Sequence, residues 1–316
     1  MLTSNKQINL WYKKATVRAL PRVVLENYEI NSNKNYYPKV KQPIVFHPLI
    51  AREGRTMCFH ILQQSCYQFF EEIAGIEENI VIVVANKILQ GEYLSDASES
   101  IRQSLRSICI DEYFHSYVAN DYRQQLIEIT NIEPLIVKTS STLDSMRKIS
   151  TTLENEQREF FELVALCLVE NTISDALLDY TIDEDCHQSF IDINRYHLQD
   201  EARHGVFFRE LFKKIWQETF PEVKREVALL LPGFIKEALE GYEEKIYYIK
   251  LLLRSLDFSN DDIQLIIDDT YPDVRTTINF SSINLAAHTN LELLKKVDIF
   301  SMSDVKQAFI QAGFSI

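Results

Sequence analysis

The chain has 316 residues and 46% hydrophobic content, enough to bury a sizeable core in one large domain or two ordinary ones. With only 7 glycines and 8 prolines, turn-rich all-β and α/β folds are disfavoured and long helices are expected. A formal net charge of −13 argues against nonspecific attraction to nucleic acid or an anionic membrane.

Five scattered cysteines (Cys58, Cys66, Cys109, Cys167 and Cys186) show no CxxC spacing and read as reduced thiols rather than a disulfide or zinc framework. The first residues carry no apolar segment of signal-peptide length, and the strongest apolar run, 80–85, is too short to span a bilayer. A soluble, cytoplasmic protein is the expectation.

In chain order, residues 1–50 are punctuated by Pro21, Pro38, Pro43 and Pro48, with basic residues at Lys13, Lys14, Arg18 and Arg22. They read as extended or loop segments forming an arm across a helical body. A helix is predicted over 57–74 and a second over 76–90, on whose wheel Glu77 falls on the dry side and Glu78 nearer its margin. After a polar connector at 91–100, a helix over 101–126 carries Asp111, Glu112 and His115. Residues 139–152 read as a connection or helix start. The helix bearing Glu170 follows, in the apolar run LVALCLVENTI, where an unpaired carboxylate is costly unless something positive meets it. An acidic turn, 183–187, leads to a helix bearing His197, Glu201 and His204. A further helix opens at Pro221 with an interruption at Pro232 and Gly233, and weaker helical patterns over 283–297 and 304–314 complete the tail. No linker is evident, so one helical domain over 1–316 is expected: arm 1–50, core 55–245 and C-terminal elaboration 246–316.

At 100° per residue His197, Glu201 and His204 lie within about 60° of one another, a metal-ligand face. A dimetal bundle site takes one Glu from each of two helices and a Glu-x-x-His from each of two others. The chain supplies this as two half-sets: Glu77 with Glu112 and His115, then Glu170 with Glu201 and His204. Glu78 remains open as the alternative to Glu77. Four carboxylates balance a pair of divalent ions. Asp111 and Asp200 precede the two Glu-x-x-His motifs and are placed to orient the histidine of the opposite half-set, with Arg203 as a neutralising partner. Composition alone yields roughly 0.6 Glu-x-x-His matches by chance, and three occur. The third, Glu184 and His187, lies 17 residues from Glu201, about 25 Å along a helix, and its acidic surroundings suit a solvated helix N-terminus. Tyr113 and Tyr196 lie near the set and are read as packing or hydrogen-bonding residues.

The segments DEYFHSY, ENTISDALLDY and RYHLQDEARHG resemble the non-haem diiron oxygenases of the ferritin-like class, and among them the p-aminobenzoate N-oxygenase (AurF-type) family, over roughly residues 70–245. That family has an additional histidine ligand four residues before the second motif Glu, the position of His197. The resemblance implies an all-α, ferritin-like bundle with a dimetal core. It also implies two iron ions, manganese being possible, held by Glu77, Glu112, His115, Glu170, His197, Glu201 and His204, and an aromatic amine, free or carrier-bound, oxidised by dioxygen through a peroxo-diiron species to hydroxylamine, nitroso and nitro products. A homodimer is a family-level expectation.

Two other readings stand beside it: a related diiron oxygenase acting on carbon by hydroxylation, cleavage or decarboxylation, and a ferritin-like metal-binding protein. No GxGxxG fingerprint is present, so electrons must come from an external donor. Arg52, Arg55 and Arg195 are candidate partners for a substrate carboxylate, against a solvated surface role for each.

Overall fold

The structure is a computed structural model and describes residues 4–28, 33–138, 140–271 and 285–316. Helix α1 (Ser4–Lys14) and the short α2 (Thr16–Ala19) open the arm, and α3 (Pro48–Ala51) closes it. The arm is thus helical at its start, where no proline falls before Pro21, and breaks into 3-10 turns and loops only beyond that residue.

Helix α4 (Arg55–Ile76) passes through a π-helical turn, Glu77–Val81, into α5 (Ile82–Gln90). The two helices predicted here are one rod. Gly75 is the single weak helix former near the expected break, and the roughly 1 kcal/mol it costs is small beside the burial of the flanking apolar residues. The rod ends at Gly91, whose left-handed backbone (φ 79°) closes the last turn. Helix α6 (Glu99–Thr130) is capped by Ser98, whose side chain accepts from the Ile101 N–H, and α7 (Ser141–Ser150) by Ser140 in the same way. Helices α8 (Asn155–Leu178) and α9 (Gln188–Glu218) follow.

Helix α10 (Pro221–Glu240) runs uninterrupted through Pro232, contrary to the predicted break. Leu231, Phe234 and Ile235 beside it are all buried, and their packing outweighs the roughly 3 kcal/mol of an internal proline. The chain turns instead at Gly241 (φ 48°), into α11 (Tyr242–Ser255). Helix α12 (Asn260–Thr270), which the pattern did not single out, precedes α13 (Leu285–Lys295) and α14 (Ser303–Gln311). Residues 283 and 284 of the predicted tail helix lie outside the described residues. Among the described residues there is no strand; one isolated bridge, Asn35 with Cys186, ties the arm to the acidic turn. The fold is all-α, a bundle of the ferritin-like kind, and among the described residues no helix is long and apolar enough to cross a membrane.

The apolar residues form two cores. One contains Ile80 to Ile88, Ile101 to Cys109, Phe160 to Val169 and Phe207 to Trp216, covered by α10, α13 and α14. The other contains Ile61 to Phe70, Ala119 to Leu126, Leu177 and Phe190 to Ile193, covered by the arm, α11 and α12. Each long helix therefore passes from one core to the other, and the segments between the cores carry the buried polar residues: Glu77, Glu112 with His115, Glu170, and 197–204. Gly205 allows the crossing of α8 and α9 to be close, since a Cβ there would sit 3.4 Å from the Glu170 carbonyl oxygen and 3.1 Å from Arg209 Nη1.

Candidate metal centre

The helical period brings Glu112 and His115 to one face of α6, and His197, Glu201 and His204 to one face of α9. Glu170 comes from α8. Glu77 is the first residue of the π turn, the wider i→i+5 irregularity that often marks functional positions. Its neighbour Glu78 is exposed, so the structure turns Glu77 alone into the interior.

These seven side chains meet in two groups that share Glu201. Glu77, His115, His197 and Glu201 form one; Glu112, Glu170, Glu201 and His204 form the other, with one donor atom from each residue within 4.8 Å of the rest. His197 Nε2 lies 2.9 Å from Glu77 Oε1 and 3.2 Å from Glu201 Oε1. His204 Nδ1 lies 2.8 Å from Glu112 Oε1 and 3.3 Å from Glu201 Oε1. His115 Nδ1 is 3.4 Å from Glu112 Oε2 and 3.5 Å from Glu201 Oε1.

Outside this ring the aspartates cross over. Asp200, from the second motif, meets His115 Nε2 at 3.1 Å, and Asp111, from the first, meets His204 Nε2 at 3.2 Å. Arg203 pairs with Asp200 and lies 3.8 Å from Asp111. The arm completes the layer: Trp11 Nε1 donates to Asp111 Oδ1 at 2.8 Å, and both the N–H (3.2 Å) and the hydroxyl of Thr16 donate to Asp200 Oδ2. Trp11 and Thr16 were not singled out from the sequence. The one available signal was weak: an indole N–H in a helix flanked by polar residues needs an acceptor, but nothing local names it.

The side chains of the centre strongly perturb one another's ionisation. Glu170 is fully buried, and burial together with the negative Glu201 and Glu112 pushes its carboxyl well above the usual carboxylate range. Burial opposes the charge of Glu201 as well, but His204 and His197 hold its carboxyl well below that range. Burial would lower His115, yet Glu112 and Glu77 outweigh it and raise the imidazole to about 10. His204 is likewise raised against burial, by Glu201 and Glu112.

Both oxygens of Glu77, Glu170 and Glu201, one of Glu112, and His197 Nε2 and His204 Nδ1 are buried with no hydrogen-bond partner. Buried polar groups are normally paired in good hydrogen-bond geometry, and the crowding of these carboxylate and imidazole atoms within 4.8 Å of one another without it fits divalent cations in both groups.

Comparison with known proteins agrees. A sequence profile of the family described as P-aminobenzoate N-oxygenase AurF matches residues 27–242. The chain belongs to this family. It is 22% identical over 247 residues, 77% of this chain and 72% of the relative, to a protein of Streptomyces thioluteus named 4-aminobenzoate N-oxygenase. This AurF-family chain is accordingly an oxidoreductase.

The third Glu-x-x-His of the AurF-family chain stays apart. Glu184 is exposed, and His187 caps α9, its side chain accepting from the Ser189 N–H and its ring packing on Tyr36. Arg52, Arg55 and Arg195 are exposed and engage Glu53, Asn33 and Asp192 respectively. None of them lines the cavity of about 290 Å³ that reaches His115 and His197. Its walls are mostly apolar, from the arm, α4, α6 and α9, and include Phe70, Ile73, Phe114 and Ile193. Tyr196 lines it too, whereas Tyr113 is exposed on α6.

Proposed function

We propose that the chain is a diiron oxygenase that uses dioxygen to oxidise the nitrogen of a primary aromatic amine, with Glu77, Glu112, His115, Glu170, His197, Glu201 and His204 as the iron ligands. The observation that carries it is the double cluster around Glu201, in which buried carboxylate and imidazole atoms crowd within 4.8 Å of one another in each group. When bound, the iron pair supplies the electrons and activation that dioxygen requires.

The chain's own residues prepare that site. Because Asp200 and Asp111 accept at Nε2 of His115 and His204, the ligand-competent tautomer keeps the proton on Nε2 and turns the Nδ1 lone pair inward. Trp11, Thr16 and Arg203 fix those aspartates in turn. His197 closes the cluster on the side of the cavity, so a bound amine approaches past His115 and His197. The apolar wall of that cavity excludes water and suits the faces of an aromatic ring.

Iron analysis followed by anaerobic reduction, oxygen exposure and mass spectrometry with a panel of arylamines tests the reading. About two irons per chain and N-oxygenated products are expected. Two irons with only carbon-oxidised products would transfer the assignment to oxidation at carbon, and a folded protein that retains no iron would sink every metal reading.

A further inference from the structure

We infer that the outer face of the arm receives an acidic electron-donor protein and that Trp11 passes its electrons towards the iron held through His204, an inference that rests on the proposed diiron chemistry and supplies the partner it needs. Two hydrogen-bonded steps join the arm to the centre along this line. Trp11 Nε1 donates to Asp111 Oδ1 at 2.8 Å, and Asp111 Oδ2 meets His204 Nε2 at 3.2 Å, leaving His204 Nδ1 facing the cluster. A small cavity of about 200 Å³, lined by Trp11, Asp111 and His204 among others, lies beside the same path. The second aspartate shows how little is needed to hold such a carboxylate: Asp200 ends on the N–H and hydroxyl of Thr16. Holding Asp111 therefore does not call for an indole, whereas an aromatic π system on an unbroken hydrogen-bonded chain is what favours electron tunnelling over a gap of the same length. Trp11 is only partly buried, and its ring packs edge-on against the exposed Tyr12 at 5.2 Å, so the chain starts at the surface.

Charge identifies the partner. Residues 1–25 hold 5 of the 33 basic residues and none of the 46 acidic ones, so a positive arm lies on a strongly negative body. Lys13 and Lys14 are exposed beside Trp11 and make no ion pair among the described residues. Arg18 is exposed too, its guanidinium over the rings of Trp11 and Tyr12 at 5.4 and 5.1 Å. The attraction of the helix C-terminus for cations explains lysines at the end of α1 but not an arm free of acids. A negative body repels a bulk polyanion, whereas a small acidic protein that touches only the arm meets the positive face alone. The transfer moves electrons only: two reduced [2Fe–2S] clusters each give up one electron, two Fe(III) become two Fe(II), and no bond forms or breaks.

An acidic [2Fe–2S] ferredoxin is the probe, first in calorimetry with the iron-loaded protein, both partners oxidised so that no electron moves. A complex is expected at low ionic strength, weakened at least ~10-fold by salt at roughly 300 mM and by Lys13→Glu/Lys14→Glu, a change at two exposed positions. Stopped-flow absorption of the ferredoxin cluster then follows its oxidation by the same protein under anaerobic conditions. Trp11→Phe, which keeps an aromatic ring but removes the N–H, should lower the rate with ferredoxin at least ~10-fold relative to the rate with dithionite, both taken per bound iron pair. A merely structural Trp11 would slow both reductants alike, so an unchanged ratio overturns the route. Absence of a complex, or one indifferent to the two lysines, overturns the docking face. If ferredoxin binds and reduces as expected but no arylamine is N-oxygenated, the donor site stands and the N-oxygenation reading falls. N-oxygenation by dithionite-reduced protein that does not bind ferredoxin leaves that reading standing and sinks this one.

Discussion

Replacing Asp200 by asparagine tests the inner geometry with a change of one atom. Asp200 is fully buried and is met by the Thr16 N–H and hydroxyl, by Arg203 and by His115 Nε2. An amide there offers one acceptor oxygen instead of two. With its NH2 towards His115, two donors face each other, and the imidazole must move its proton to Nδ1, the atom that faces the cluster. With its NH2 towards Arg203, that cation loses its buried partner. Either arrangement leaves a buried donor unsatisfied at about 1–3 kcal/mol, and loss of such an outer carboxylate costs roughly 10–100-fold in metal affinity. The effect should fall on the ion held with Glu77, His115 and His197, while the ion held through His204 and Asp111 changes less than about threefold, since no hydrogen bond of its own is lost. Competition against a chelator during stepwise Mn(II) or Fe(II) titration resolves the two affinities. Equal weakening of both ions, or none, would refute the claim that Asp200 acts through His115.

The mirror change, Asp111→Asn, should weaken the ion at His204 instead, in the same titration. Metal loading should release protons: His115 keeps its proton up to about 10 in the metal-free protein, so affinity is expected to rise with pH through the neutral range, by calorimetry in buffers of different ionisation enthalpy. For the metal-free fold the sign is the opposite: the raised imidazole contributes stability below the ordinary histidine value near 6.5, lost as pH climbs through about 10, visible as a falling Tm. Gly205→Leu should force α8 and α9 apart at Glu170 and cost about 1–3 kcal/mol in urea unfolding, whereas Glu184→Gln on the exposed turn should leave metal stoichiometry unchanged.

Helical periodicity carried the reading of α6 and α9, because the residues that share a face are three or four apart and their neighbourhood is a property of the local backbone, whereas Glu170 on α8 stood out as a carboxylate within an apolar run. The same rule separates Glu77 from Glu78, one inward and one exposed. It separates His187 as well: an acidic turn before a helix is a local feature, and the residue caps α9 rather than joining the cluster. Errors arose where burial overrode propensity. Pro232 and Gly75 are weak helix residues in isolation, yet both lie inside continuous helices held by their packed faces.

The sequence by itself thus determined an all-helical chain, the faces carrying Glu112, His115, His197, Glu201 and His204, and a surplus carboxylate at Glu170 that had to be met by positive charge. Only the tertiary structure decided which half-set shares which residues, with Glu201 common to both groups. It alone joined Trp11 to Asp111 and Thr16 to Asp200, and closed Arg22 on Asp121 at the wall of the cavity. The physical reason is separation along the chain: these contacts join residues about a hundred or more positions apart, so no local period or propensity encodes them. They exist only once the two apolar cores have brought the arm and the four long helices together.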